Sequence, residues 1–346
     1  MTQAKQINTL SEFLLQAQTQ YIVFDLGRGI KPIDNQQFFD WENQLAPCAY
    51  PRQEHAWFCI CFWNEKESQE QYIWYIKLPL DENGLLIQAA RNQFLEIVVT
   101  ALGSQLQHTS NEEAQLPENP FVFQPSQQQL ADCNARIHKA LKQTRAGNNK
   151  VVQYMQAPSV QDWQILSVQD IADYVSTSDS SDTCPVQLTL AKHLMHLPVP
   201  MLSCLFASLE CIKINDVLSK AIIAFYKSSQ EPVLRQLSLR ALSHFEPANI
   251  SLANHFVEQL ILRDEALDIE TLVLIAGRYW HILNEESILL SYMDKVAAKD
   301  DSFALFLGIY ADLVKVPSCR ASMLGLLRNT KRSNLVSQGI GRLFTR

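Results

Sequence analysis

Asp25-Leu26-Gly27, inside YIVFDLGRGIKPI (Tyr21 to Ile33), is the part of this 346-residue chain that looks most like a piece of enzyme. A carboxylate and a glycine directly after an apolar strand is an arrangement that can bring a turn against a phosphate. A nucleotide site needs further loops of backbone N–H donors, typically glycine-rich. The chain has ten glycines and neither GxxxxGK nor GxGxxG. Gly277, Gly308, Gly325, Gly339 and Gly341 sit in helical context or near the C-terminal end. The stretch therefore reads as a hairpin, with Gly27 and Gly29 at positive φ in a three-residue turn and Arg28 at its tip in solvent. A phosphate or nucleotide site at Asp25 to Arg28 is the enzymatic alternative.

The other reactive side chains are sparser still. Cys59 and Cys61 share a strand face, but zinc takes four ligands and no CxxC or CxxH lies nearby, so they read as small buried groups. His193 and His196 are three apart without the glutamate of HExxH. No GxSxG is present, and Glu285-Glu286 and Asp300-Asp301 stand where a helix start favours negative charge. No catalytic residue, cofactor or metal is assigned. The eight cysteines are scattered, unlike a disulfide framework.

Charge narrows the partners. A formal net charge of -7 disfavours nucleic acid, which calls for a broad cationic surface. Trp57, Trp63, Tyr72 and Trp74 on a sheet have the chemistry to stack bases, but only Lys77 interleaves with them, so they read as core or protein interface. An RNA contact by Lys331, Arg332, Arg342 and Arg346 is a further alternative, set against the ordinary preference for cations at helix C-termini. MTQAKQINTL has no signal-peptide core and no run approaches the roughly 18 apolar residues of a membrane span, so a soluble cytoplasmic protein is expected.

The elements behind these residues follow from periodicity. Leu10, Phe13, Leu14 and Ala17 share a helical face behind a Thr9 cap, and Asp34 caps a short helix carrying Phe38 and Trp41. HAWFCICFWN and QYIWYIKLPL form a hairpin whose first strand, apolar on both faces, belongs in the middle of its sheet. A helix follows, phased by Leu86, Ala90, Phe94, Ile97 and Ala101 and capped by Gly103. After a long polar loop, Ser126 starts another helix, VVQYMQ (Val151 to Gln156) reads as a strand, and a helix spans Val168 to Val175.

STSDSSD (Ser176 to Asp182) has the composition of a linker. Beyond it every segment has helical periodicity, and paired helices recur at a spacing of roughly 33 to 36 residues, within the range of helical-hairpin repeats. The expected class is α+β: a small α/β domain with a mainly antiparallel sheet over 1–176, a linker over 177–183, and a HEAT-like helical repeat or bundle over 184–346.

INTLSEFLLQAQTQYIVFDLGRGI, YPRQEHAWFCICFWN, YIWYIKLPLDENGLLIQAARNQFL and the later WQILSVQDIADYV together resemble a proteobacterial family known as domain of unknown function 3549. The resemblance brings no reaction, cofactor or catalytic residue with it. With enzyme motifs this thin, the expected role is a non-enzymatic protein-binding or scaffolding adaptor working through its helical surface. Its candidate partner contacts are Arg235, Arg240, Arg278 and Trp280.

Overall fold

The computed structural model describes residues 7–64, 70–107, 116–143, 147–158, 163–243, 251–263 and 267–345. The architecture is α+β, and the chain divides into two compact units: Met1–Pro125 with Lys315–Pro317, and Ser126–Val314 with Ser318–Arg346.

The first unit contains α1 (Leu10–Gln16), β1 (Gln20–Asp25), β2 (Lys31–Ile33), α2 (Asn35–Glu42), β3 (His55–Trp63), β4 (Gln71–Pro79) and α3 (Gln88–Gln107). The four strands form an antiparallel sheet in the order β2-β1-β3-β4. β3 is paired on both edges, as its apolar faces require, and Phe58, Cys59, Ile60 and Cys61 are fully buried. Helix starts are set by short oxygen-bearing side chains: Thr9 Oγ1 accepts from Glu12 N at 3.0 Å, and Asp34 Oδ1 from Gln37 N at 2.7 Å.

Burial of Glu42 ties the two short helices together. Its carboxylate accepts from Leu10 N (2.7 Å), Ser11 N (3.0 Å) and Ser11 Oγ (2.6 Å) at the start of α1, where unpaired N–H groups and the helix dipole favour an anion. Arg91 of α3 donates to the Glu42 carbonyl. The core beside them holds Phe38, Trp41, Phe58, Ile60, Ile76 and Phe94. α3 runs through Gly103 to Gln107, so Gly103 is not its cap.

The second unit contains α4 (Gln127–Ala140), α5 (Gly147–Tyr154), α6 (Val168–Ser176), α7 (Pro185–His193), α8 (Val199–Leu209), α9 (Asp216–Ser228), α10 (Pro232–Ala241), α11 (Leu252–Arg263), α12 (Ile269–Arg278), α13 (Glu286–Ala297), α14 (Ala304–Leu313), α15 (Pro317–Leu326) and α16 (Asn334–Leu343). Alternate helices touch in two rows. One row runs α6, α8, α10, α12, α14 and the other α7, α9, α11, α13, α16. Gly339 lets α16 approach α14, since a Cβ there would stand 2.8 Å from the Phe306 ring.

Two expectations are corrected in this unit. VVQYMQ is not a strand: Val151, Tyr154 and Met155 are buried at helical spacing and join the core around Ile171 and Val175, while Val152 faces solvent. Nor does Ser176 to Asp182 behave as a spacer. Ser176 and Ser178 are buried, Lys139 Nζ donates to Ser178 O (2.8 Å), Gln187 Nε2 to Asp179 O (2.7 Å) and Asn215 Nδ2 to Ser181 O (2.9 Å). Polar composition suggested a linker, but those backbone carbonyls are satisfied by side chains from the surrounding helices. The compact units divide between Pro125 and Ser126 instead, because α4 and α6 pack on α8.

Candidate functional site

Asp25 ends β1 opposite Lys31 of β2, and a five-residue loop, Leu26 to Ile30, joins the strands. Gly29 has φ +116°, a conformation that strains side-chain-bearing residues. Gly27 does not have positive φ. It is needed for a different reason: a Cβ there would stand 2.0 Å from the Tyr50 carbonyl oxygen. Arg28 is buried rather than in solvent, and its Nε donates to Pro51 O at 2.9 Å. The loop folds inward onto the segment after α2.

The Asp25 carboxyl is fully buried. Oδ1 accepts from Gly27 N at 2.7 Å, while Oδ2 has no hydrogen-bond partner. Desolvation pushes its pKa up to about 8, against the lowering effects of the Gly27 N–H, Lys31 and Arg28. At neutral pH it is a neutral acid locked in a turn and closed to solvent.

Two of the arginines picked out from the sequence converge. Arg240 at the end of α10 donates through Nε (2.9 Å) and Nη2 (2.6 Å) to Glu210 Oε2, and Arg278 at the end of α12 donates through Nε to Glu210 Oε1. Glu210 lies just past α8, with a side chain 5% exposed. Its burial raises the pKa, but the two guanidinium charges outweigh that and hold it below the usual carboxylate value. Nearby, Asp132 of α4 accepts from Ser208 Oγ (2.6 Å) and Gln128 Nε2 (3.0 Å). Desolvation lifts Asp132 to about 6.

Arg235 and Trp280 are elsewhere. Trp280 is 1% exposed, with its indole N–H on Ser318 Oγ at 3.2 Å, so it is a core residue and not a surface contact. The Arg235 guanidinium covers the Tyr226 ring at 4.6 Å, and Tyr226 meets Phe256 edge-on at 5.3 Å.

Phe256 leads to a groove that the sequence reading missed. Ile223 and Lys227 of α9 and Leu252, His255, Phe256, Gln259, Leu260 and Arg263 of α11 enclose about 570 Å³. Lys227 lies 5.6 Å over the Phe256 ring. The floor is apolar, Lys227, His255 and Arg263 stand exposed around it, and no carboxylate among the described residues lines it. Glu258, next to it in sequence, lies 3.7 Å from His255.

A family model described as "Protein of unknown function (DUF3549)" matches residues 5–344. The chain belongs to the DUF3549 family. No curated protein and no solved structure matches it.

In this DUF3549 chain the remaining candidates are tied into the fold. Arg332 donates to the Leu326 (3.3 Å) and Leu327 carbonyls that end α15, and Lys331 meets Glu286 at 3.3 Å. Arg342 is exposed on α16, and Arg346 lies outside the described residues. Cys59 and Cys61 are buried, burial pushing the Cys61 thiol up to about 11. Neighbouring positive charge and desolvation lower the pKa of His193, desolvation being the larger cause. Among the described residues no helix is long and apolar enough to cross a membrane.

Proposed function

We propose that this DUF3549 protein is a non-enzymatic protein-binding adaptor. Its second unit acts as an irregular HEAT-like repeat and takes an acidic, amphipathic segment of a partner protein in the groove between α9 and α11. The observation that carries the reading is the groove's composition. In a chain of net charge -7, an apolar floor built on Phe256 and Leu260 is rimmed by Lys227 and Arg263 and, among the described residues, has no lining carboxylate. Apolar anchors of a partner helix at i and i+4 fill such a floor, while its flanking carboxylates meet the rim and speed encounter. The alternation of helices in two rows supports the repeat reading, because successive members of each row pack on one another.

The enzymatic alternative at Asp25 to Arg28 lacks comparable support, since a substrate has no access to either buried side chain. The RNA alternative is weakened by the capping role of Arg332.

The test is fluorescence anisotropy with a labelled amphipathic helix carrying two leucines and four glutamates, against its lysine counterpart. The glutamate peptide should bind, with affinity falling as salt is raised, and Lys227→Glu with Arg263→Glu should weaken it by about tenfold or more. Equal binding of both peptides, or binding indifferent to the double reversal, rules the groove out.

A further inference from the structure

The convergence of Arg240 and Arg278 on Glu210 does more than neutralise a buried acid. Asp132 acts on Arg240 through its charge, but its oxygens accept from Ser208 and Gln128 and from neither arginine. Glu210 engages the Nε edge of both arginines, which fixes their planes. Arg278 Nη1 is used on Gly277 O at 3.2 Å. Among the described residues, Arg240 Nη1 and Arg278 Nη2 make no protein hydrogen bond, and the two side chains remain 37% and 23% exposed.

We propose that Arg240 and Arg278 form an anion site for a tetrahedral oxyanion of the phosphate class. The two guanidinium groups come from different helices and are held side by side on the two oxygens of one carboxylate. A tetrahedral oxyanion has several acceptor oxygens and can take an N–H from each. Guanidinium is suited to this exchange because its charge is permanent and its donors are in a fixed plane. Much of the rotamer entropy of both side chains has already been lost to Glu210, so the ligand orders little more on binding. The site lies on the row of α8, α10 and α12, whereas the groove is built from α9 and α11, so the two proposals stand independently.

Calorimetry on the full chain at pH 7 tests this, with ionic strength held constant by sodium chloride. Inorganic phosphate, sulfate and O-phosphoserine are titrated separately. Saturable one-to-one binding with a Kd of about 1 mM or tighter is expected for at least one of them, from two charge-assisted contacts. Tighter binding of O-phosphoserine assigns the site to a phosphomonoester, and preference for inorganic phosphate assigns it to the free ion. Arg240→Gln should weaken binding by about tenfold, and Lys299→Gln, at an exposed lysine just past α13, should leave it unchanged. Glu210→Gln, by releasing both guanidinium groups from their internal anion, should tighten it several-fold if the variant folds. Non-saturating heats for all three anions on the parent overturn the proposal, as does equal loss in Arg240→Gln and Lys299→Gln.

Discussion

Asp25→Asn should stabilise the protein at neutral pH and lose that advantage in acid. The folded group has a pKa of about 8 against an ordinary value of 3.8, so between those values the native state holds one proton more than the unfolded chain. Stability therefore falls as pH rises through that interval and levels off above it. At about 1.4 kcal/mol per pH unit, the roughly three units up to pH 7 amount to about 4 kcal/mol. Asparagine keeps the acceptor for Gly27 N but puts an NH₂ where Oδ2 had no partner, at a cost of about 1–3 kcal/mol. The net gain at pH 7 is about 1–3 kcal/mol. Below pH 4, where Asp25 is protonated in both states, the variant should be equal to the parent or less stable.

Urea melts of parent and variant at half-unit steps from pH 4 to 8.5 measure this directly, the difference between the two curves isolating residue 25. Parallel curves across that range would show that Lys31 and Arg28 keep Asp25 ionised, and the argument from desolvation would fall.

Gly27→Ala should lower the melting temperature severely, because the new Cβ meets the Tyr50 carbonyl, a backbone atom that cannot rotate away; differential scanning calorimetry reads the shift. Gln187→Ala should cost about 2–4 kcal/mol and open the 176–182 stretch to protease, since the buried amide donates to Asp179 O and Lys213 O and accepts from Asn215 N. A fragment of residues 126–346 should melt cooperatively by circular dichroism, whereas one of 182–346 should not. The shorter piece loses Tyr154, Ile171, Tyr174 and Val175 from a core shared with Met201 and Leu205.

Local signals were legible in the sequence wherever the cause is local. The caps at Thr9, Asp34 and Ser126 stand three residues from the N–H groups they accept, and the double-sided apolar character of β3 marks its central place. VVQYMQ was misread because Val151 and Val152 suit a strand, while the deciding fact is that Tyr154 and Met155 share a face with Val151. The STSDSSD stretch looked like a spacer because its anchors, Lys139, Gln187 and Asn215, are spread over α4, α7 and the start of α9.

At the candidate sites the same division holds. Arg240 and Arg278 were picked out, but not the acid between them, although a lone glutamate closing the apolar run LFASLECI is a readable sign of a buried charge seeking partners. The groove had no such sign. Its walls come from helices joined in sequence only through α10, and its charge arises when Lys227 and Arg263 are brought around one phenylalanine.

The sharing of Glu210 also sets an order of events as the chain is made. Arg240 is synthesised 30 residues after Glu210 and Arg278 is synthesised 68 residues after it. At about 5–20 residues per second, Glu210 waits roughly 2–6 s for its first partner and roughly 3–14 s for its second. Until then a carboxylate at the end of α8 would have to be buried with too little compensation. The α8 end should thus stay open to water on the nascent chain, and the helix row should close on it from the C-terminal side, after α12 has left the ribosome.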